Sequence, residues 1–133
     1  MNVSAGLSYM TLSARDLLPM FRATNIVDDA LVDYRDIWQR SNLLLIAVPP
    51  GEASVRPLAQ LGRDLAGNDT AVVVTTDPIP GVPPPAVVVA DRWGEIQYIQ
   101  TAGRVADLPD AAELGDWLDY LRYQCPECQG EAR

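Results

Sequence analysis

Three stretches of the chain are continuously apolar over the length of a strand: NLLLIAV at 42–48, AVVVTT at 71–76 and PAVVVA at 85–90. Runs of this length, bounded by turn residues, predict strands covered on both faces. Pro49-Pro50-Gly51 breaks the first. Between the first and second, Val55, Leu58, Leu61 and Leu65 recur at steps of three and four, with Ala59 and Ala66 filling the stripe. That spacing predicts an amphipathic helix of about three turns, ended by Gly67-Asn68. Pro57 falls near its start, where a missing N–H costs least. Strand, helix and strand in this order imply a parallel pair joined by a right-handed crossover.

The second half of the chain changes character. DPIPGVPPP at 77–85 suits neither a helix nor a sheet interior. After the third strand, DRWG reads as a tight turn with Gly94 supplying a positive φ, and EIQYIQ returns as the fourth strand of a hairpin. Trp93 and Tyr98 on this hairpin are expected to pack across strands. Leu114, Trp117, Leu118 and Leu121 then mark a closing helix from about Pro109 to Tyr123, with Asp110 near its start as the macrodipole favours. Leu114, Trp117 and Leu121 are expected in the core, and Tyr120 and Tyr123 with part of Trp117 are left for an outer apolar face, a candidate dimer surface.

Upstream the pattern is weaker. Ile26-Val27 predicts a short strand, and Leu31, Tyr34, Ile37 and Trp38 fall at helix-like spacing for a turn or two. Asp28-Asp29 reads as a solvated loop pair rather than a cation site. The expected organisation is an arm at 1–14, one domain at 15–124 and a tail at 125–133.

Composition narrows the function. No apolar run approaches the ~20 residues needed to cross a bilayer, and the N-terminus has neither a basic leader nor an apolar core segment, so a soluble cytoplasmic protein is the expectation. The net charge is −8, with ten basic residues against eighteen acidic ones, and every basic residue is Arg. Without a basic stripe to neutralise phosphates, nucleic acid is not an expected partner. Such an acidic, Lys-free surface fits either a high-salt interior or a GC-rich genome. Histidine is absent. That removes the usual general base, the partner of nucleophilic Ser or Cys, and the commonest zinc ligand.

The order strand, helix, strand, extended link, hairpin, helix resembles the thioredoxin fold. The strand–PPG–helix joint at 43–61 lies where that family carries its active-site loop. PPPAVVVAD resembles the family's strand entry, which begins at a proline with a cis peptide bond facing the active site; Pro85 is the matching residue, with Ala86 in place of the usual Thr. NIVDDALVDYRDIWQRSNLLLIAV resembles the peroxiredoxin-like (alkyl hydroperoxide reductase/thiol-specific antioxidant) branch, which has a short hairpin, a one-turn helix and then the first core strand. The tail WLDYLRYQCPEC is similar to members of that branch ending in Cys-Pro-x-Cys. The likeness covers about residues 15–128. It implies an α/β, three-layer thioredoxin-like fold with a four- to five-stranded mixed sheet flanked by helices.

Two departures bear on this expectation. The family places a helix between its second and third core strands, and here only nine Pro-rich residues stand there. The link has to move sideways by two strand spacings, roughly 10 Å. Nine residues in polyproline form span about 28 Å, so a helix is optional. The second departure concerns chemistry. The loop PPGEASV holds no cysteine. A thiolate there would be stabilised by the helix N-terminus; Glu52 and Ser54 instead read as caps for the helix. Pro50, Gly51, Glu52 and Pro85 then outline a groove that binds at most.

Both cysteines, Cys125 and Cys128, lie in CPECQG at the end of the chain. The pair is half a zinc knuckle, and zinc wants four ligands. It can form or exchange a disulfide, meet its copy across a dimer to complete a four-thiolate zinc site, or do neither. Three functions therefore stay open: a non-catalytic module that binds a protein partner or forms a homodimer; a thiol-disulfide oxidoreductase or antioxidant protein using Cys125 and Cys128; and a zinc-bridged homodimer through the same residues. Apart from that zinc, no cofactor is expected.

Overall fold

The computed structural model describes residues 11–52, 55–67 and 69–123. A two-stranded antiparallel ribbon comes first, β1 (Arg22–Asn25) with β2 (Ala30–Asp33). A single 3-10 turn follows at Tyr34–Asp36. The main sheet contains β3 (Asn42–Ala47), β4 (Thr70–Thr75), β5 (Ala86–Ala90) and β6 (Ile96–Thr101), in the order β4-β3-β5-β6. β3 and β4 are parallel, joined through helix α1 (Val55–Leu65), while β5 runs antiparallel to both β3 and β6. Helix α2 (Ala111–Arg122) is the last element of the described residues, capped by the Asp110 carboxylate, which accepts from the Glu113 backbone N–H at 2.9 Å.

The apolar runs form strands because each has two faces to fill. Along β3, Leu43, Leu45 and Ala47 enter one core layer while Leu44, Ile46 and Val48 enter the other. β5 alternates in the same way, Ala86, Val88 and Ala90 against Val87 and Val89. The second of these layers is roofed by both helices, through Leu114, Leu118 and Leu121 of α2 and the half-buried Val55, Leu58, Leu61 and Leu65 of α1. Among the described residues no α-helix covers the first layer. It is covered by Leu18, Phe21, Ala23 and Tyr34 from the N-terminal segment and ribbon, and by Ile79 and Val82 from the Pro-rich link.

That link explains how the fold dispenses with a helix between β4 and β5. It does not run as an extended polyproline crossing. It folds into a tight turn in which the Val82 N–H donates to the Ile79 carbonyl at 3.1 Å, and Gly81 adopts φ 78°. Leu12 packs on Gly81, and its N–H donates to the Gly81 carbonyl at 2.9 Å. Two buried aliphatic side chains thus take the place of a helix face.

The ribbon also closes one edge of the sheet. Asn25, almost wholly buried, donates from Nδ2 to the Val72 carbonyl (2.9 Å) and accepts at Oδ1 from the Val74 N–H (3.0 Å). The next N–H, of Ile26, donates to the Val74 carbonyl at 2.7 Å. One amide side chain and one backbone group therefore satisfy β4 groups that would otherwise form an open pairing edge.

Several local expectations are corrected. The strand predicted at Ile26-Val27 lies four residues earlier, because Asn25 ends the ribbon by turning into β4. Of the residues at helical spacing, Leu31 is not wound, since it belongs to β2 and is exposed, whereas Tyr34, Ile37 and Trp38 are. The 3-10 turn at Tyr34–Asp36 runs on into a further turn, in which the Trp38 N–H donates to the Tyr34 carbonyl at 2.9 Å and the Ser41 N–H to the Ile37 carbonyl at 3.0 Å. Glu52 is not in the first turn of α1, which begins at Val55; it stands in the preceding turn, its N–H directed at the Pro49 carbonyl (3.3 Å). Ser54, its predicted companion, lies outside the described residues. Trp117 is only half-buried, unlike Leu114 and Leu121.

Candidate functional site

β3 ends at the centre of the sheet, and its exit is fixed on both sides. The Val48 N–H donates to the Thr75 carbonyl of β4 at 2.8 Å. On the other side the Ala47–Ala86 pair is the last of the β3–β5 register, so Pro85, the residue before Ala86, stands beside that exit. The Pro84–Pro85 peptide is cis, as the resemblance implies for this position. Pro85 is buried, and its carbonyl accepts from the Ala102 N–H at 3.0 Å. Pro49 to Glu52 then turn the chain toward α1, with Pro50 and Gly51 exposed and Glu52 half-buried. Gly51 has φ 81° with open space where a Cβ would sit, so its backbone conformation and not crowding demands glycine.

The structure thus brings Pro50, Gly51 and Glu52 to the same end of the sheet as Pro85, at the carboxyl end of β3, where open α/β sheets characteristically bind ligands. Glu52 is the only titratable side chain that the loop sequence PPGEASV contributes. The loop sequence holds no thiol or imidazole, and its one hydroxyl, Ser54, lies outside the described residues; the described part, Pro49 to Glu52, offers shape, backbone dipoles and one carboxylate. Cys125 and Cys128, expected as redox or zinc ligands, lie outside the described residues. Among the described residues no group of three or more His, Cys, Asp or Glu is placed to hold a metal ion, and no helix is long and apolar enough to cross a membrane.

A second concavity lies away from this loop, about 520 Å³ in volume, between β6, α2 and the segment that runs along the start of β6. Arg15, Gln97, Glu113, Asp116, Trp117 and Tyr120 line it. Trp117 stacks on Tyr98 with centroids 4.9 Å apart and meets Tyr120 edge-on at 5.8 Å, their planes 86° apart. The single Tyr98 hydroxyl proton faces two acceptors, Gln100 Oε1 at 2.5 Å and Glu113 Oε2 at 3.2 Å; burial, and then the Glu113 carboxylate, raise its pKa. Sequence reasoning had found the aromatic residues and missed the carboxylates. The signal was present, since Glu113, Asp116, Trp117 and Tyr120 fall at i, i+3, i+4 and i+7 on one helical stripe.

A smaller hollow of about 290 Å³ opens at Met20, Phe21, Arg22, Asp33 and Arg35. Its one carboxylate is already paired. Arg22 Nε lies 3.2 Å from Asp33 Oδ2, and the Arg35 backbone N–H, followed by the Arg22 guanidinium, holds the Asp33 carboxyl below its ordinary value.

Sheet order, the parallel β3–α1–β4 unit, the antiparallel hairpin and the cis proline define a thioredoxin-like fold. Solved structures agree. The chain superposes on a peroxiredoxin-like protein from Aquifex aeolicus with TM-score 0.60 and 14% identity, covering 84% of this chain and 88% of that one. A DsbF homologue from Corynebacterium diphtheriae gives TM-score 0.58 at 16% identity, over 91% and 98% of the two chains. A putative protein disulfide isomerase from Bacteroides thetaiotaomicron gives 0.57 at 13%, over 85% and 92%. No family model matches the sequence, and no curated protein matches it either.

Proposed function

We propose that the chain is a thioredoxin-fold module that binds a protein partner or a second copy of itself, without thiol chemistry at its β3–α1 joint. One observation carries this reading. The turn at the end of β3 and the cis Pro85 are both in place, while the loop between them and α1 contains neither a cysteine nor a histidine. The fold is shared with proteins named for peroxide and disulfide chemistry, and a fold alone does not confer their activity.

The test is a pair of assays on the intact protein, reduction of insulin disulfides and turnover of hydrogen peroxide, repeated with Cys125→Ser and Cys128→Ser. Both assays should be blank. Peroxide or disulfide turnover that persists in the double variant overturns the reading of the joint. Insulin reduction that disappears in Cys125→Ser assigns the chemistry to the tail. Zinc at about half an equivalent per chain, lost together with a dimer on chelation, assigns the tail to a shared metal instead.

A further inference from the structure

We propose that the concavity between α2 and β6 binds the guanidinium of an arginine side chain presented by a basic segment of a partner protein. This site is separate from the β3–α1 joint, and the proposal stands whichever way the thiol assays fall.

Three features point to that ligand. The first is an aromatic corner: Trp117 and Tyr120 meet with planes 86° apart, and Tyr98 stacked on Trp117 holds that ring in place. Aromatic faces set at an angle attract a cation through their quadrupoles. Tyr120 is 52% exposed, which makes it reachable from solvent.

The second feature is unmatched negative charge. Glu113 and Asp116 line the same concavity, and neither forms an ion pair among the described residues. The cation already present, Arg15, has Nη1 3.8 Å from Glu95 Oε2 and so is drawn to a carboxylate outside the lining. Along α2 the neighbouring Asp119 is matched, with Arg122 Nη1 at 3.0 Å, and Arg122 also reaches Asp69 at 3.4 Å. The helix therefore pairs its charge outside the groove, while inside it Glu113 accepts only the neutral Tyr98 hydroxyl and neither Glu113 nor Asp116 has an ion pair among the described residues.

The third feature is the combination itself. A guanidinium is planar and weakly hydrated, so it can lie on an aromatic face while its N–H fork reaches carboxylates; a compact, strongly hydrated ammonium cannot do both equally well. An anionic ligand would be repelled by Glu113 and Asp116, and a neutral one would gain hydrogen bonds from them but no charge attraction. A concavity of about 520 Å³ admits one such side chain with its flanking backbone.

The experiment measures binding of a short peptide of alternating Gly and Arg, and of its Lys counterpart, to the full chain by calorimetry at near-physiological salt. Wild-type protein should bind the Arg peptide more tightly than the Lys peptide, by about threefold or more. Tyr120→Ala and Asp116→Asn, both at exposed positions, should each weaken the Arg peptide by about fivefold. Asp119→Asn removes the same charge from the same helix outside the groove and should leave affinity within about twofold. Equal weakening by Asp119→Asn would mean that the acidic chain merely attracts any polycation, and would overturn the proposal. So would equal affinity for the two peptides, or no binding. Concentration-dependent dimerisation that Tyr120→Ala abolishes would give the groove to a second copy of the chain and overturn the assignment to a separate partner.

Discussion

The ring of Tyr34 stacks on Phe21, centroids 5.3 Å apart and planes within 11° of parallel, in the core layer that no α-helix of the described residues covers. Its hydroxyl is fully buried, has no hydrogen-bond partner among the described residues, and lies where a Cβ on Gly94 would come within 3.4 Å. Burial, reinforced by the Asp91 carboxylate, pushes the phenol up to about 12. A group whose pKa rises from 10 in the unfolded chain favours folding only while it stays neutral. Stability should therefore be complete below pH ~10 and fall as pH climbs from ~10 to ~12, by on the order of 2–3 kcal/mol. Tyr34→Phe keeps the stacked ring and removes the titrating, unpartnered hydroxyl. Urea midpoints measured across alkaline pH should fall less steeply in the variant, and at neutral pH it should be at least as stable as the wild type. An identical alkaline loss in both proteins would assign that loss to other groups.

At the scale of the element, α1 sits close to the sheet because Gly62 has no side chain. A Cβ there would come within 2.8 Å of Val27 Cγ2, 3.2 Å of Val72 Cγ1 and 3.3 Å of Val74 Cγ2. Helix propensity favours alanine over glycine by about 1 kcal/mol. Overpacking against three stiff, β-branched side chains costs roughly 1–3 kcal/mol. The crowding should win, and Gly62→Ala should destabilise by about 1 kcal/mol in urea unfolding. Gly115 of α2 is the internal control, since nothing lies within 4 Å of its Cβ position. Gly115→Ala should stabilise by up to about 1 kcal/mol. Stabilisation by both substitutions would show that α1 moves off the sheet at little cost.

The same elements show what the sequence makes legible. β3, β4, β5 and both helices follow from local pattern, because a strand covered on both faces has to be apolar on both and a roofing helix on one, while the half-buried outer strand β6 follows from the tight turn that pairs it with β5. Gly94 at φ 84° follows from turn chemistry, and Asp110 at the start of α2 from the macrodipole, to which the structure adds its role as a cap. The ribbon was harder to place. Asn25 does its work through β4, 47 and 49 residues away, and a polar side chain that closes a sheet edge has no local signature. The turn at Ile79 and Val82 escaped for the same reason, since prolines announce a break and not the layer that two aliphatic side chains will cover. Of the sites, the joint at Pro50, Gly51, Glu52 and Pro85 was readable through a resemblance. The stripe of Glu113, Asp116, Trp117 and Tyr120 is legible in the helical spacing of α2, whereas the groove it lines needs β6 and Arg15 opposite it.

The whole molecule carries eighteen acidic residues against ten arginines. Its ion pairs join partners that are largely exposed on at least one side, such as Arg15 with Glu95 and Arg104 with Asp107. Pairs of this kind contribute about 0–1 kcal/mol each, whereas a net charge of −8 repels itself over the entire surface. Salt weakens both effects, so the sign of its influence on stability reports which is larger. Raising ionic strength from about 0.01 M to about 1 M shortens the screening length from about 30 Å to about 3 Å. Long-range repulsion is then lost almost completely, while pairs at 3.0–3.8 Å retain part of their attraction. The thermal midpoint at neutral pH should therefore rise with sodium chloride, most steeply over the first few tenths molar, where screening changes fastest. Chloride is the suitable anion because sulfate also strengthens apolar burial and would confound the comparison. A midpoint that falls with chloride would mean that the ion pairs outweigh the repulsion, and that the acidic surface is held together by its arginines.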